Sequence, residues 1–200
     1  MRQKAAMFGL DARIALAIFA ALSVITGAVL HSALQEAKVI SLITEMQEIG
    51  KAWEQYYLDT GVDLSRNNTD PNEDHYYIFN SKYLVEKPTG VVNWKGPYLN
   101  YPSKSYYLRH PLYDSAHVMN LTTDDGWSVW FNGKCTTGKA CAIYISLNSI
   151  PNITLAKKVD VKIDNSDGAD QGKFRWSTFP AIPGTYRFIL QYALTKNPND

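Results

Sequence analysis

A chain of 200 residues in which 20 Lys and Arg face 19 Asp and Glu has a formal net charge of +1, so it offers no field that would gather nucleic acid, and none is expected as a partner. The length suits one compact domain plus an appendage. Its 13 Tyr, 5 Trp and 9 Pro, concentrated after Gly61, are those of a sheet-rich domain with long surface loops, and the first sixty residues look quite different.

In chain order, the first element runs from Ile14 to Leu30, seventeen residues without a charge, the lower edge of what crosses a bilayer as a helix. Arg2, Lys4 and Arg13 precede it and Glu36 follows, which places the N-terminus in the cytoplasm and the remainder outside. A cleavable secretory signal competes, since "HSA" before Leu34 is a tolerable cleavage site. The continuation argues against that. No Pro follows, and Val39, Ile43, Met46, Ile49, Trp53 and either Tyr56 or Tyr57 recur at three- and four-residue spacing, with Glu36, Lys38, Glu45, Glu48, Lys51 and Glu54 on much of the other side. That pattern predicts an amphipathic helix fused to the apolar one, stopped at Gly61. A helix of about 50 residues is roughly 75 Å long, too long for a core of this size to cover. Lipid or identical neighbouring helices must bury its first half, while the second half packs on the chain's own domain.

Beyond Gly61, strands are expected at 105–110, 127–133, 141–147, 158–164, 173–179 and 185–194, forming an antiparallel sheet with one wet face. The fold class is therefore α+β, a long N-terminal helix packed on a C-terminal antiparallel sheet. In 158–164, Val159, Val161 and Ile163 alternate with Asp160, Lys162 and Asp164; a short helix after Pro151 is the competing reading of that stretch. Cys135 and Cys141 stand in a polar loop with five residues between them, one a Gly, close enough to bridge if this part is exported, the alternative being two free thiols in a cytosolic protein.

The segment "DNSDGADQG" gathers Asp164, Ser166, Asp167 and Asp170 around Gly168. It reads either as a solvated turn or as a loop holding calcium, which takes six to eight oxygens. Of His31, His75, His110 and His117, only "HPLYDSAH" brings two together with an acid, Asp114, and Pro111 discourages a helix there. No nucleophile elbow or phosphate-cradling glycine loop occurs. Catalysis is not expected.

The leader-like "MRQKAAMFG", the unbroken apolar helix running into an amphipathic one, and the sheet-rich remainder resemble the type IV pilin and type II secretion pseudopilin superfamily. Within it, "WEQYYLDTG" and "YLVEKPTGVVNWKGPYL", Tyr83 to Leu99, are similar to the major (G-type) pseudopilin, and the similarity covers roughly the first half of the chain. The resemblance implies a leader at 1–9, a helix at 10–60 with its membrane span at about 14–30, and a periplasmic domain at 61–200. It implies cleavage between Gly9 and Leu10 by a prepilin peptidase, N-methylation of Leu10, and a single-pass protein of a bacterial inner membrane that assembles into a pseudopilus or type IV pilus-like filament. Its partners would be further copies, other pilin-like subunits, a platform protein and, indirectly, an assembly ATPase.

The family's usual glutamate, four residues after the first mature one, is replaced by Ile14. Asp11 is then the carboxylate nearest the new amine, and Arg13 belongs to the positive flank. G-type subunits carry a calcium loop nearer the "GPYL" segment than residues 164–172 are, while pilins use a loop like "DVKID…DG…GKFRW" structurally. The competing function is a membrane-tethered periplasmic binding module, or a minor tip pilin contacting glycan, protein or DNA.

Overall fold

The computed structural model describes the backbone of residues 3–200 and the side chains of residues 11–200. Met1, Arg2 and the side chains of Lys4 and Leu10, on which part of the leader and cleavage reading falls, lie outside the described residues. The chain divides into two compact units, Met1–Ser41 and Leu42–Asp200. One helix, α1 (Gln3–Thr60), supplies all the described structure of the first and enters the second.

In the first unit α1 presents its apolar side chains openly, Phe19 at 70% and Val24 at 73% exposure. This is the one helix among the described residues long and apolar enough to cross a membrane. Its polar interruption is internally satisfied, because the Thr26 hydroxyl donates to the Leu22 carbonyl at 2.8 Å, as a hydroxyl in an apolar surrounding must be.

From Leu42 onward the same helix is a core element. Leu42, Met46, Ile49, Ala52 and Tyr56 are buried, whereas Tyr57 is 48% exposed, so the stripe continues through Tyr56. The helix presses on the last strand at Gly50, where a Cβ would run into the Tyr192 ring. One turn later Trp53 meets Tyr192 edge-on at 6.4 Å, and the Tyr192 hydroxyl donates to Glu54 at 2.8 Å. Gly61, at φ 71°, ends the helix by donating its N–H to the Tyr57 carbonyl at 2.8 Å, the left-handed stop for which glycine is suited.

The "NWKGPYL" segment straps the connecting loop to this helix. Trp94 Nε1 donates to the Tyr83 carbonyl at 2.9 Å, the Tyr98 N–H to Leu84 at 2.7 Å, Lys95 pairs with Asp59 at 2.8 Å, and the Tyr98 ring stands edge-on to Tyr56 at 6.0 Å. Gly96 is required by the close approach of Trp94 and Tyr98, whose rings a Cβ would strike.

The sheet has six antiparallel strands in the order β1-β2-β3-β4-β6-β5: β1 (Ser103–Lys104), β2 (Tyr107–Leu108), β3 (Ala116–Thr122), β4 (Cys141–Ile150), β5 (Phe174–Thr178) and β6 (Tyr186–Thr195). Every residue of β3, and every residue of β4 except Ser149, is buried, so the expected wet face is absent from the sheet centre. Paired residues share a face: Met119 opposite Tyr144 and Leu121 opposite Ala142 lie on one, and Val118, Ile145, Leu190 and Phe174 on the other. On the first, Tyr77, Ile78, Trp127, Trp130 and the Cys135–Cys141 disulfide complete a buried cluster.

Three strand expectations change. Residues 158–164 are not a strand: the competing reading, a helix after Pro151, holds, and they are part of α2 (Ile153–Asp164), capped by Asn152, whose side chain accepts from the Thr154 N–H at 2.8 Å. Leu155, Ala156 and Val159 are its buried face, and Val161 points to solvent. Residues 127–133 form no strand but a short 3-10 turn at Trp130–Asn132, and of 105–110 only Tyr107–Leu108 pair. β3, for which no strand is expected, is a central one.

Candidate functional site

Three places hold the chemically equipped side chains. The first is the N-terminal boundary. Helix α1 passes through Gly9 without interruption, and Asp11, Arg13 and Ile14 are all exposed. With the helix starting at Gln3, Asp11 is not in its first turn; it would occupy that place, next to the positive helix end, only in a chain shortened to Leu10.

The second place is an acidic corner at the C-terminal end of α2. Asp160 and Asp164 are one helical turn apart, and left-handed Asn165 (φ 56°) and Ser166 (φ 70°) curl the chain so that Asp167 joins them. One carboxylate oxygen from each lies within 4.8 Å of the others. Asp164 accepts the Phe174 N–H at 2.6 Å, whereas Asp160 is only 3% exposed and its Oδ1 has no hydrogen-bond partner. Burial, and then the neighbouring Asp167, push the Asp160 carboxyl up to about 6. Gly172 leaves the space these acids occupy, for a Cβ there would strike the carboxylates of Asp167 and Asp164.

Of the four residues expected around a cation, Asp164 and Asp167 thus converge. Asp170 is not one of the three, its carbonyl instead accepting the Gly126 N–H at 2.9 Å, and Ser166 is exposed. Asp160 is the ligand candidate that the sequence reading left out. On a strand, four residues separate Asp160 from Asp164 by roughly 13 Å; on a helix their Cβ atoms stand about 5–6 Å apart.

The third place is a cavity of about 180 Å³ over β3, β4 and β6. Its polar floor is organised by Asn148, whose Nδ2 donates to Ser115 Oγ at 2.9 Å while its Oδ1 accepts from Arg187 Nε at 2.7 Å and Ser146 Oγ at 3.3 Å. The pairing of β4 with β6 shifts between Leu147 and Ile150, and Ser149 lies at φ 68°, a bulge of the kind that re-aims side chains. His117 Nε2 is 3.1 Å from Ser115 Oγ, and its Nδ1 is buried without a partner. Burial, aided by Arg187 and His75, lowers His117 to about 3.

Two buried arginines on the sheet contrast here. Arg175 is fully buried and fully used: its guanidinium donates to the carbonyls of Asp124 at 2.7 Å and Gly172 at 3.0 Å, pairs with Asp125 at 3.1 Å, and lies 4.0 Å over the Trp127 ring. Arg187 is lowered to about 10 by burial and makes no ion pair among the described residues. Asp114, on the rim of the cavity, is exposed and does not pair with it. The "HPLYDSAH" residues do not converge: His110 contacts Glu45 at 3.1 Å and stacks on Tyr113, while His117 turns to Ser115.

No protein-family model, curated protein or solved structure matches this chain.

The buried neutral His117 carries a pH signature. Its folded pKa lies below the ordinary value of 6.5, at about 3, so the unfolded chain binds the proton more tightly across that window. The stability this contributes is present above about pH 6.5 and is lost as pH falls toward 3, at up to about 1.4 kcal/mol per pH unit. Denaturant unfolding between pH 7 and 4 should show His117→Gln losing less stability on acidification than the parent chain, the difference between the two curves isolating this residue.

Proposed function

We propose that this chain is a pilin-like structural subunit: a single-pass protein of a bacterial inner membrane, N-terminus cytoplasmic and C-terminal domain periplasmic, that assembles through its N-terminal helix into a pseudopilus or type IV pilus-like filament. The observation that carries the reading is the division of labour within α1, apolar and exposed from Ile14 to Leu30 and buried in the sheet domain at Leu42, Met46, Ile49, Ala52 and Tyr56. An open apolar surface of that extent needs a cover, and bundled copies of the helix, above and within the lipid, provide one. The docking of "NWKGPYL" on the helix through Tyr98 and Lys95 gives the segment that carries the resemblance a definite structural job. The role is structural rather than catalytic. The partners on this reading are further copies, other pilin-like subunits, a platform protein, an assembly ATPase acting through it, and a prepilin peptidase.

Asp11 takes the task of the absent glutamate on this reading, lying one residue from the amine created at Leu10, where an unpaired charge in apolar surroundings is costly. The reading also includes calcium at the acidic corner. Asp160, Asp164 and Asp167 supply three hard oxygen donors, one of them buried and unpartnered, and waters or carbonyls would complete the shell. A bound cation would offset the mutual repulsion of the three carboxylates and pin the loop leading into β5.

The intact mass of the protein purified from its membrane should correspond to a chain beginning at Leu10 and carrying one added methyl group; an uncut N-terminus, or cleavage at Ala33, contradicts the proposal. For the corner, millimolar calcium should raise the thermal midpoint of the full chain, and Asp160→Asn should raise the metal-free midpoint while removing the calcium response. A calcium response unchanged in Asp160→Asn, or none in the parent, would exclude the site.

A further inference from the structure

We propose that the cavity beneath Trp130 is a binding site for a small carboxylate with a ring-shaped body. The inference is independent of the filament reading, since it concerns only the sheet domain.

The charge is the first reason. A guanidinium carries five donors, and that of Arg187 engages one, Nε, on Asn148. Arg187 lines the cavity and forms no ion pair with a carboxylate among the described residues. Buried charges are ordinarily paired, and Arg175 on the next strand shows how this same sheet satisfies a guanidinium that has only a structural task. Arg187 is held ready instead, since the bond to Asn148 fixes its orientation and leaves its terminal nitrogens for a carboxylate, the partner to which their planar fork is matched.

A second, independent group points into the same space. His117 is buried and lines the cavity, its Nε2 is taken by Ser115, and its Nδ1 has no partner. A ligand bearing a hydroxyl, or a second oxygen, beside its carboxylate would complete it.

The walls set the body of the ligand. Phe179 and Trp130 lie 5.0 and 6.0 Å from the Arg187 guanidinium, and Tyr106 stands 5.8 Å from the His117 ring. Aromatic faces around a cation accommodate a flat or cyclic apolar surface. The volume of about 180 Å³ falls below the roughly 300–1,000 Å³ of sites for drug-sized ligands, which restricts the occupant to a single ring. Aromatic acids and sugar acids both satisfy this chemistry.

The test uses the full chain in a non-ionic detergent at neutral pH, read by thermal unfolding and by tryptophan fluorescence, with benzoate and glucuronate as the acids and benzamide, glucose and sodium sulfate as controls. At tenfold above its Kd, at least one acid should raise the midpoint by about 3 °C or more and change the emission, while its neutral counterpart and sulfate do not. Which acid responds separates the aromatic source from the sugar source. Arg187→Gln keeps a donor for Asn148 and removes the charge, and should weaken binding at least tenfold. The proposal is overturned if neither acid binds, if benzamide, glucose or sulfate acts as strongly as the acids, or if Arg187→Gln binds like the parent. Should that variant not fold, the comparison of each acid with its neutral counterpart on the parent chain decides.

Discussion

Seventeen consecutive uncharged residues, Ile14 to Leu30, share one unbroken helix with Leu42, Met46, Ile49 and Tyr56, and the two sets of side chains face opposite requirements. The second set is buried by the protein's own sheet. The first is not, and apolar surface on that scale does not stay uncovered in water. Burial of the helix's second half supplies the anchoring: Gly50 admits the Tyr192 ring, Trp53 and Glu54 hold that ring from two sides, and Tyr98 and Lys95 clamp the loop to the last turns.

The sheet domain solves a separate problem. Its central strands are buried on both faces, so the loops over the face bearing Met119 and Tyr144 must be tied down although they have little regular structure. Arg175 does much of this, collecting the carbonyls of Asp124 and Gly172 and the carboxylate of Asp125 under the Trp127 ring. The disulfide closes the loop before β4. The same framework also carries the three acids at the C-terminal end of α2 and the Arg187–His117 cavity.

How far the sequence could be read follows from where a single period dominated. The amphipathic half of α1 was legible because only one face is buried, leaving the 3.6-residue pattern intact, and the Gly61 stop and the cysteine pair followed from local geometry. β4, β5 and β6 were visible as apolar and aromatic runs. β3 was not, since "AHVMNLT" is buried at all seven positions and a strand covered on both faces shows no alternation. At 158–164 two readings competed, because Val159, Val161 and Ile163 alternate by coincidence on a helix whose buried residues follow the 155, 156, 159 spacing. Only the helix reading places Asp160 beside Asp164. The cavity had no sequence signal, because His117, Asn148 and Arg187 come from three strands, Ser115 stands just before β3, and the four meet only in the folded sheet with its bulge.

The central claim is that the exposed part of α1 is covered by copies of itself. Cysteines introduced at Ala20 and Leu34, on the described and exposed part of that helix, can be oxidised in the membrane with the assembly machinery present and the products resolved by size. The account predicts a ladder of covalent dimers, trimers and higher species. A pattern ending at monomer and dimer would contradict it and leave a membrane-tethered binding module as the better description of the chain.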